Sequence, residues 1–150
     1  MTIRAALKKY SAVEIELLLG HVLKQSKEFL YLHPNKILTK NQQFQLGKLV
    51  RQRKSSFPIA YLLGYKDFFG LKFAVNKAVL IPRPESEWLV ERAIKLASNK
   101  PIKILDLGTG SGCLAISIKT HSPKVKMTAV DVSNKALGVA KKNAQAHQVN

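Results

Sequence analysis

The sequence predicts an α/β protein in three parts: a helical bundle over residues 1–64, a β-hairpin with a proline-rich linker over 65–84, and over 85–150 the βαβα start of a doubly wound parallel sheet. Two observations carry this. The apolar pattern is helical up to about Gly64 and becomes aromatic, β-branched and strand-like from Tyr65 onward. Further on, two runs of strand length, Ile102–Leu107 and Lys126–Val132, alternate with helical stretches, as parallel strands joined by helical crossovers do.

Each element has a local reason. A short helix is expected at about 2–9. Ser11 and Glu14 have capping-box spacing ahead of Ile15, Leu18, Leu19, Val22 and Leu23, which recur as one apolar helical stripe. After another short helix at about 26–32, Thr39 and Gln42 repeat the box before a long helix to about Lys54 carrying Phe44, Leu49 and Val50. Pro58 suits a first helical position, and Gly64 suits the left-handed position after a last turn. Tyr65 to Val75, with Gly70 in its middle, is expected to form a hairpin. Pro82 and Pro84 forbid a continuous strand or helix, and Pro84 with Glu85 and Glu87 makes a helix start, the helix carrying Trp88, Leu89, Val90, Ala93, Ile94 and Leu96 to about Ser98. Beyond the first parallel strand, a helix from about Gly112 to His121 and another opened by Ser133 are expected.

The composition bounds the function. Of 150 residues, 25 are Lys or Arg and 9 Asp or Glu, a formal charge of +16, with 46% hydrophobic residues, so the chain is globular in type. The excess is even, +8 before residue 65 and +8 after it. The most one-sided block lies between Glu28 and Asp67, where Lys36, Lys40, Lys48, Arg51, Arg53, Lys54 and Lys66 meet no acid. Such a field attracts RNA or an RNA-bound partner, or is simply a solvated face, since no aromatics interleave it as a stacking surface requires. The single cysteine, Cys113, excludes a disulfide framework and a Cys-based zinc site, and no metal is expected. With no apolar run of signal or membrane-span length, the expectation is a cytoplasmic protein without a membrane partner.

The chemistry concentrates in Asp106-Leu107-Gly108-Thr109-Gly110-Ser111-Gly112. This loop follows a strand and opens a helix, so its glycines let a ligand approach the backbone at the positive end of the helix. A dinucleotide fingerprint would place a glycine where Cys113 stands. Asp131, at the end of the second strand and 25 residues after Asp106, can accept both ribose hydroxyls of an adenosine. Together the loop and Asp131 suggest S-adenosylmethionine, with another nucleotide such as NAD as the alternative. His21, His33, His121 and His147 are scattered and suit surface or packing roles, and Cys113 suits a packed helix start.

Asp106–Gly112, Ala129–Ser133, Ala136-Leu137 and Lys142–Ala144 resemble motif I and the second-strand motif of Rossmann-type methyltransferases. Upstream, Pro58–Gly64, Phe68–Phe73 and Leu80–Glu87 resemble, in order and spacing, the peptide-chain release-factor glutamine methyltransferases of the HemK/PrmC type, a likeness that covers essentially the whole chain. That resemblance implies a Rossmann-like, S-adenosylmethionine-dependent enzyme that methylates the side-chain amide of the Gly-Gly-Gln glutamine in class 1 release factors. The basic block between Lys36 and Lys66 suggests in addition that the bundle recognises that substrate, with transient RNA contact through the basic surface. Gly108, Thr109, Gly110, Ser111 and Gly112 would contact the methionine end of the cofactor, Asp131 its ribose, and Asp106 would brace the loop. Arg83, Pro84 and Glu85 would border the pocket or merely cap a helix; Phe68 and Phe69 would reach the cofactor or fill the hairpin–helix interface.

One departure matters. The family's catalytic Asn-Pro-Pro-Tyr, whose asparagine side chain and neighbouring carbonyl orient the amide nitrogen, has no counterpart here, because the chain contains no Asn-Pro dipeptide. No catalytic residue is therefore expected among residues 1–150; the motif is expected beyond Asn150, with the chain the N-terminal part of a longer enzyme from a truncated record or a split gene, inactive alone. The alternatives are a nucleic-acid N-methyltransferase and a non-catalytic module that binds a release factor or RNA.

Overall fold

The computed structural model describes residues 1–10, 14–98 and 101–149, which divide into two compact units, 1–63 and 64–150. The first unit is helical: α1 (Ile3–Lys9), α2 (Ile15–Leu23), α3 (Lys27–Leu32), α4 (Lys40–Lys54) and α5 (Ile59–Leu63). Its core joins Ile3, Leu18, Leu19, Leu30, Leu38, Leu46 and Val50, so α1, α2, α3 and α4 each contribute their apolar stripe. Thr39 and Gln42 form the expected box, with Gln42 N–H donating to Thr39 Oγ1 at 3.2 Å and Thr39 N–H to Gln42 Oε1 at 2.9 Å.

Ser11, and with it the capping box expected with Glu14, lies outside the described residues; the Glu14 carboxylate pairs with the Arg53 guanidinium. Phe44 does not join the core. Leu46 and Val50, one turn apart, set the buried face of α4, and Phe44 lies two residues out of phase with Leu46 and is 67% exposed.

The second unit opens with the hairpin, β1 (Tyr65–Phe68) and β2 (Leu71–Ala74), antiparallel with Phe68 opposite Leu71. Phe69 and Gly70 both take positive φ, 49° and 73°, the tight turn that suits strand twist. Holding a phenylalanine there is unfavourable, and the Phe69 N–H is fixed by Glu87 Oε1 at 2.8 Å. A single 3₁₀ turn, Pro84–Ser86, leads into α6 (Glu87–Ala97). Then come β3 (Lys103–Leu107), α7 (Cys113–His121), β4 (Lys126–Val130) and α8 (Asn134–Ala146), with β3 and β4 parallel and Asp106 beside Ala129. Ser133 caps α8 by accepting the Ala136 N–H at 3.2 Å.

Phe68, Phe73, Val90, Ile116, Ile118 and Val125 form the core of this unit, and Ile104 and Met127 pack on it from one face of the β3–β4 pair. The opposite face is bare: Leu105 is 56% and Leu107 74% exposed, with Val130 and Val132 also open. Parallel strands are ordinarily covered on both faces. Among the described residues, no helix is long and apolar enough to cross a membrane.

Candidate cofactor site

The glycine loop is held by the two strands that flank it. Where β4 ends, the Val130 carbonyl accepts both Gly108 N–H and Thr109 N–H at 2.9 Å, which turns the chain sharply at the tip of β3. Asp106, at the end of β3, accepts the Thr109 hydroxyl on Oδ2 at 2.8 Å. Asp131 lies just past β4, and its two oxygens divide their work: Oδ2 accepts Gly110 N–H and Oδ1 accepts Ser133 N–H, both at 2.9 Å. One carboxylate thereby ties the middle of the loop to the start of α8. The Ser133 amide, and next the Gly110 amide, hold the Asp131 carboxyl below its ordinary range, so it is ionised at neutral pH.

The glycines separate into two kinds. A side chain at Gly108 or Gly110 would project into open space, with nothing nearer than 4.0 Å. A Cβ on Gly112 would stand 2.9 Å from Ile116 Cδ1 and 3.3 Å from Ala140 Cβ. Gly108 and Gly110 therefore face the side from which a ligand can come, while Gly112 lets α7 pack against α8. The Gly112 N–H is also engaged, donating to Thr109 O at 2.8 Å.

The residues present fit S-adenosylmethionine on three counts. The first turn of α7 brings orphan amides to the loop, suited to a carboxylate. Asp131 spends one hydrogen bond per oxygen, and a carboxylate has about four acceptor sites, so each oxygen retains capacity for a hydroxyl. The Ser111 hydroxyl is buried and has no partner of normal geometry, only the nearby Cys113 thiol, whose sulfur is a weak acceptor for it. Burial pushes that thiol up, which leaves Cys113 protonated and without nucleophilic character at neutral pH.

Other candidates fall elsewhere. Phe68 is 2% exposed and meets Phe73 edge to face at 6.2 Å, filling the hairpin–helix core; Phe69 is half-buried against the His121 ring at 5.0 Å. Arg83, Pro84 and Glu85 are exposed on the 3₁₀ turn, and no hydrogen bond links them to the loop or to Asp131 among the described residues. His33 packs on Phe29, His121 bonds the Ser117 carbonyl and His147 the Lys72 carbonyl. No group of three metal-binding side chains occurs among the described residues.

The role of one side chain was not anticipated. Asn143, 2% exposed, bonds Ala74 of the hairpin and the Ser111 carbonyl of the loop. Its signal was present: Ala136, Val139 and Asn143 occupy the buried stripe of α8, and an amide on such a stripe must find partners.

A glycine loop between a parallel strand and its helix, with an ionised carboxylate at the tip of the next strand, defines a Rossmann-like methyltransferase domain, and residues 86–150 match the family model described as methyltransferase small domain, whose members generally use S-adenosylmethionine. Residues 2–64 match the PrmC N-terminal domain. The chain is 46% identical over 124 residues to the release factor glutamine methyltransferase of Flavobacterium psychrophilum, covering 80% of this chain and 44% of that protein. It is 42% identical over 142 residues to the enzyme of the same name from Coxiella burnetii (94% and 51%), and 36% over 154 residues to that of Nitratidesulfovibrio vulgaris (98% and 52%). The chain is thus similar over most of its length to release factor glutamine methyltransferases, and it spans about half the length of the curated relatives it matches.

Proposed function

We propose that this chain supplies the donor-binding and substrate-recognising part of an enzyme that methylates the Gly-Gly-Gln glutamine of class 1 release factors, in the cytoplasm. The carrying observation is the loop Gly108–Gly112 tied by Asp131 at the tip of the parallel pair, joined in one chain to a bundle that matches the PrmC N-terminal domain. When bound, S-adenosylmethionine supplies an electrophilic methyl group. Asp131 accepts the ribose hydroxyls, the α7 amides and the loop backbone receive the methionine end, and Asp106 keeps Thr109 and hence the loop in place. No residue of this chain is assigned to orienting the glutamine amide, a role that the resemblance gives to Asn-Pro-Pro-Tyr.

The bundle provides the docking surface. On α4, Lys40, Phe44, Lys48 and Arg51 fall within about 80° of one another at 100° per residue, all exposed. Lys48, Arg51 and Lys54 form no ion pair among the described residues, so their field reaches solvent uncancelled. Contrary to the expectation that no aromatic interleaves the block, Phe44 stands exposed within it; the basic stripe suits an acidic protein surface, steering approach at long range and weakening with salt. Reversing Lys48, Arg51 and Lys54 to Glu is expected to slow association with a release factor at least about tenfold at low salt while donor affinity holds. Stopped-flow rates that stay unchanged would return the stripe to solvent. A loss confined to RNA binding would assign the stripe to RNA instead.

A further inference from the structure

The Asn143 carboxamide is fully used. Its Oδ1 accepts the Ala74 N–H at 2.8 Å, while Nδ2 donates to the Ala74 carbonyl at 3.0 Å and to the Ser111 carbonyl at 2.8 Å. Against Ala74 it acts as one more peptide on the free edge of β2, pairing with both backbone groups of a single residue. The remaining hydrogen reaches the loop, 32 residues earlier in the chain. Burial makes all three bonds consequential, because an unpartnered amide at 2% exposure would lose its water without replacement.

We propose that Asn143 is a positioning residue that couples the β1–β2 hairpin to the donor loop, so that a ligand seated on the loop is felt at Ala74 and a load on the hairpin is felt at Ser111. The loop needs such a hold. Gly108, Thr109 and Gly110 are tied to the end of β4 and Asp131, whereas the Ser111 carbonyl, next to the open glycines, is anchored by Asn143. The Ser111 hydroxyl makes no comparable bond, so this carbonyl is the serine's firm attachment. His147, one turn further along and just past α8, holds the Lys72 carbonyl of the same strand at 2.9 Å, which makes the end of α8 a rail along β2. The functional side of the proposal rests on the donor-site reading above; the mechanical coupling does not.

Native-state hydrogen exchange on the 150-residue chain tests it. In the unaltered chain, Ala74 N–H and Gly112 N–H are expected to open together, with the same denaturant dependence, because one side chain joins their segments. Openings of different size would overturn the proposal without any variant. Asn143→Ala is expected to speed exchange at Ala74 and Gly112 at least about tenfold. Val139→Ala, on the same face of α8, serves as the control for lost stability and should leave the two amides linked. If the control separates them equally, Asn143 merely contributes to packing and the coupling is wrong. Added S-adenosylmethionine should slow exchange at Gly110 and also at Ala74, the latter effect vanishing in Asn143→Ala. Protection at Gly110 with none at Ala74 would overturn the coupling, whereas no protection at Gly110 would overturn the donor site and leave the coupling to be decided by the exchange without donor.

Discussion

Residues 1–150, given saturating S-adenosylmethionine and a purified class 1 release factor, are expected to place no methyl group on the factor above background. A glutamine amide nitrogen is a poor nucleophile because its lone pair is delocalised into the carbonyl, so the reaction depends on holding that nitrogen in line with the methyl–sulfur bond. Positioning of this kind can contribute about 7–11 kcal/mol of the barrier. The loop Gly108–Gly112, Asp106 and Asp131, which we propose to hold the donor, leave the amide nitrogen unoriented. The chain has no Asn-Pro dipeptide, and one face of its parallel pair is bare at Leu105, Leu107 and Val130. Radiolabel counted in the release factor checks this. Turnover near that of a full-length relative would mean that the amide is oriented by residues of this chain and that the assignment to Asn-Pro-Pro-Tyr is wrong.

The second large effect is expected at Asp131. Asp131→Ala removes the proposed ribose acceptors together with the tie to Gly110 N–H, so S-adenosylmethionine should bind at least about tenfold more weakly by titration calorimetry. The pH dependence has a definite sign. Its folded pKa is lowered by the Ser133 and Gly110 amides, so its contribution is complete above the ordinary value of 3.8 and fades as pH falls through the lowered one. The difference between wild type and Asp131→Ala should therefore persist through neutral and mildly acidic pH and close only in strong acid. Equal affinities at pH 7 would remove Asp131 from the site.

What the sequence made legible was mostly local. Thr39 and Gln42 announced their capping box, Ser133 its helix, and Gly70 the hairpin, because each signal is completed within a few residues. The strand–loop–helix around Gly108–Gly112 was equally legible, and so was the location of Asp131 after the second strand. The contacts that cross the chain were not. Glu87 looked like a helix-start acid, yet its carboxylate holds Phe69 N–H, 18 residues earlier. Nothing local announced that Glu14 pairs with Arg53, 39 residues away. Gly112 looked like its two neighbouring glycines, and only the packing of Ile116 and Ala140 separates its role from theirs. Asp131 was expected to serve a ribose, and spacing alone did not reveal that it first ties Gly110 to Ser133.

If these residues are the donor-holding part of a release-factor glutamine methyltransferase, a chimera built on them should methylate a release factor. Residues 1–150 would replace the matched segment of the Coxiella burnetii relative, which aligns with 94% of this chain, and the product would be incubated with S-adenosylmethionine and a class 1 release factor. Tandem mass spectrometry then locates any added methyl. A single methyl on the glutamine of Gly-Gly-Gln, lost when the chimera carries Asp131→Ala, is the predicted result; a folded, donor-binding chimera that leaves that glutamine bare or methylates another site would contradict it.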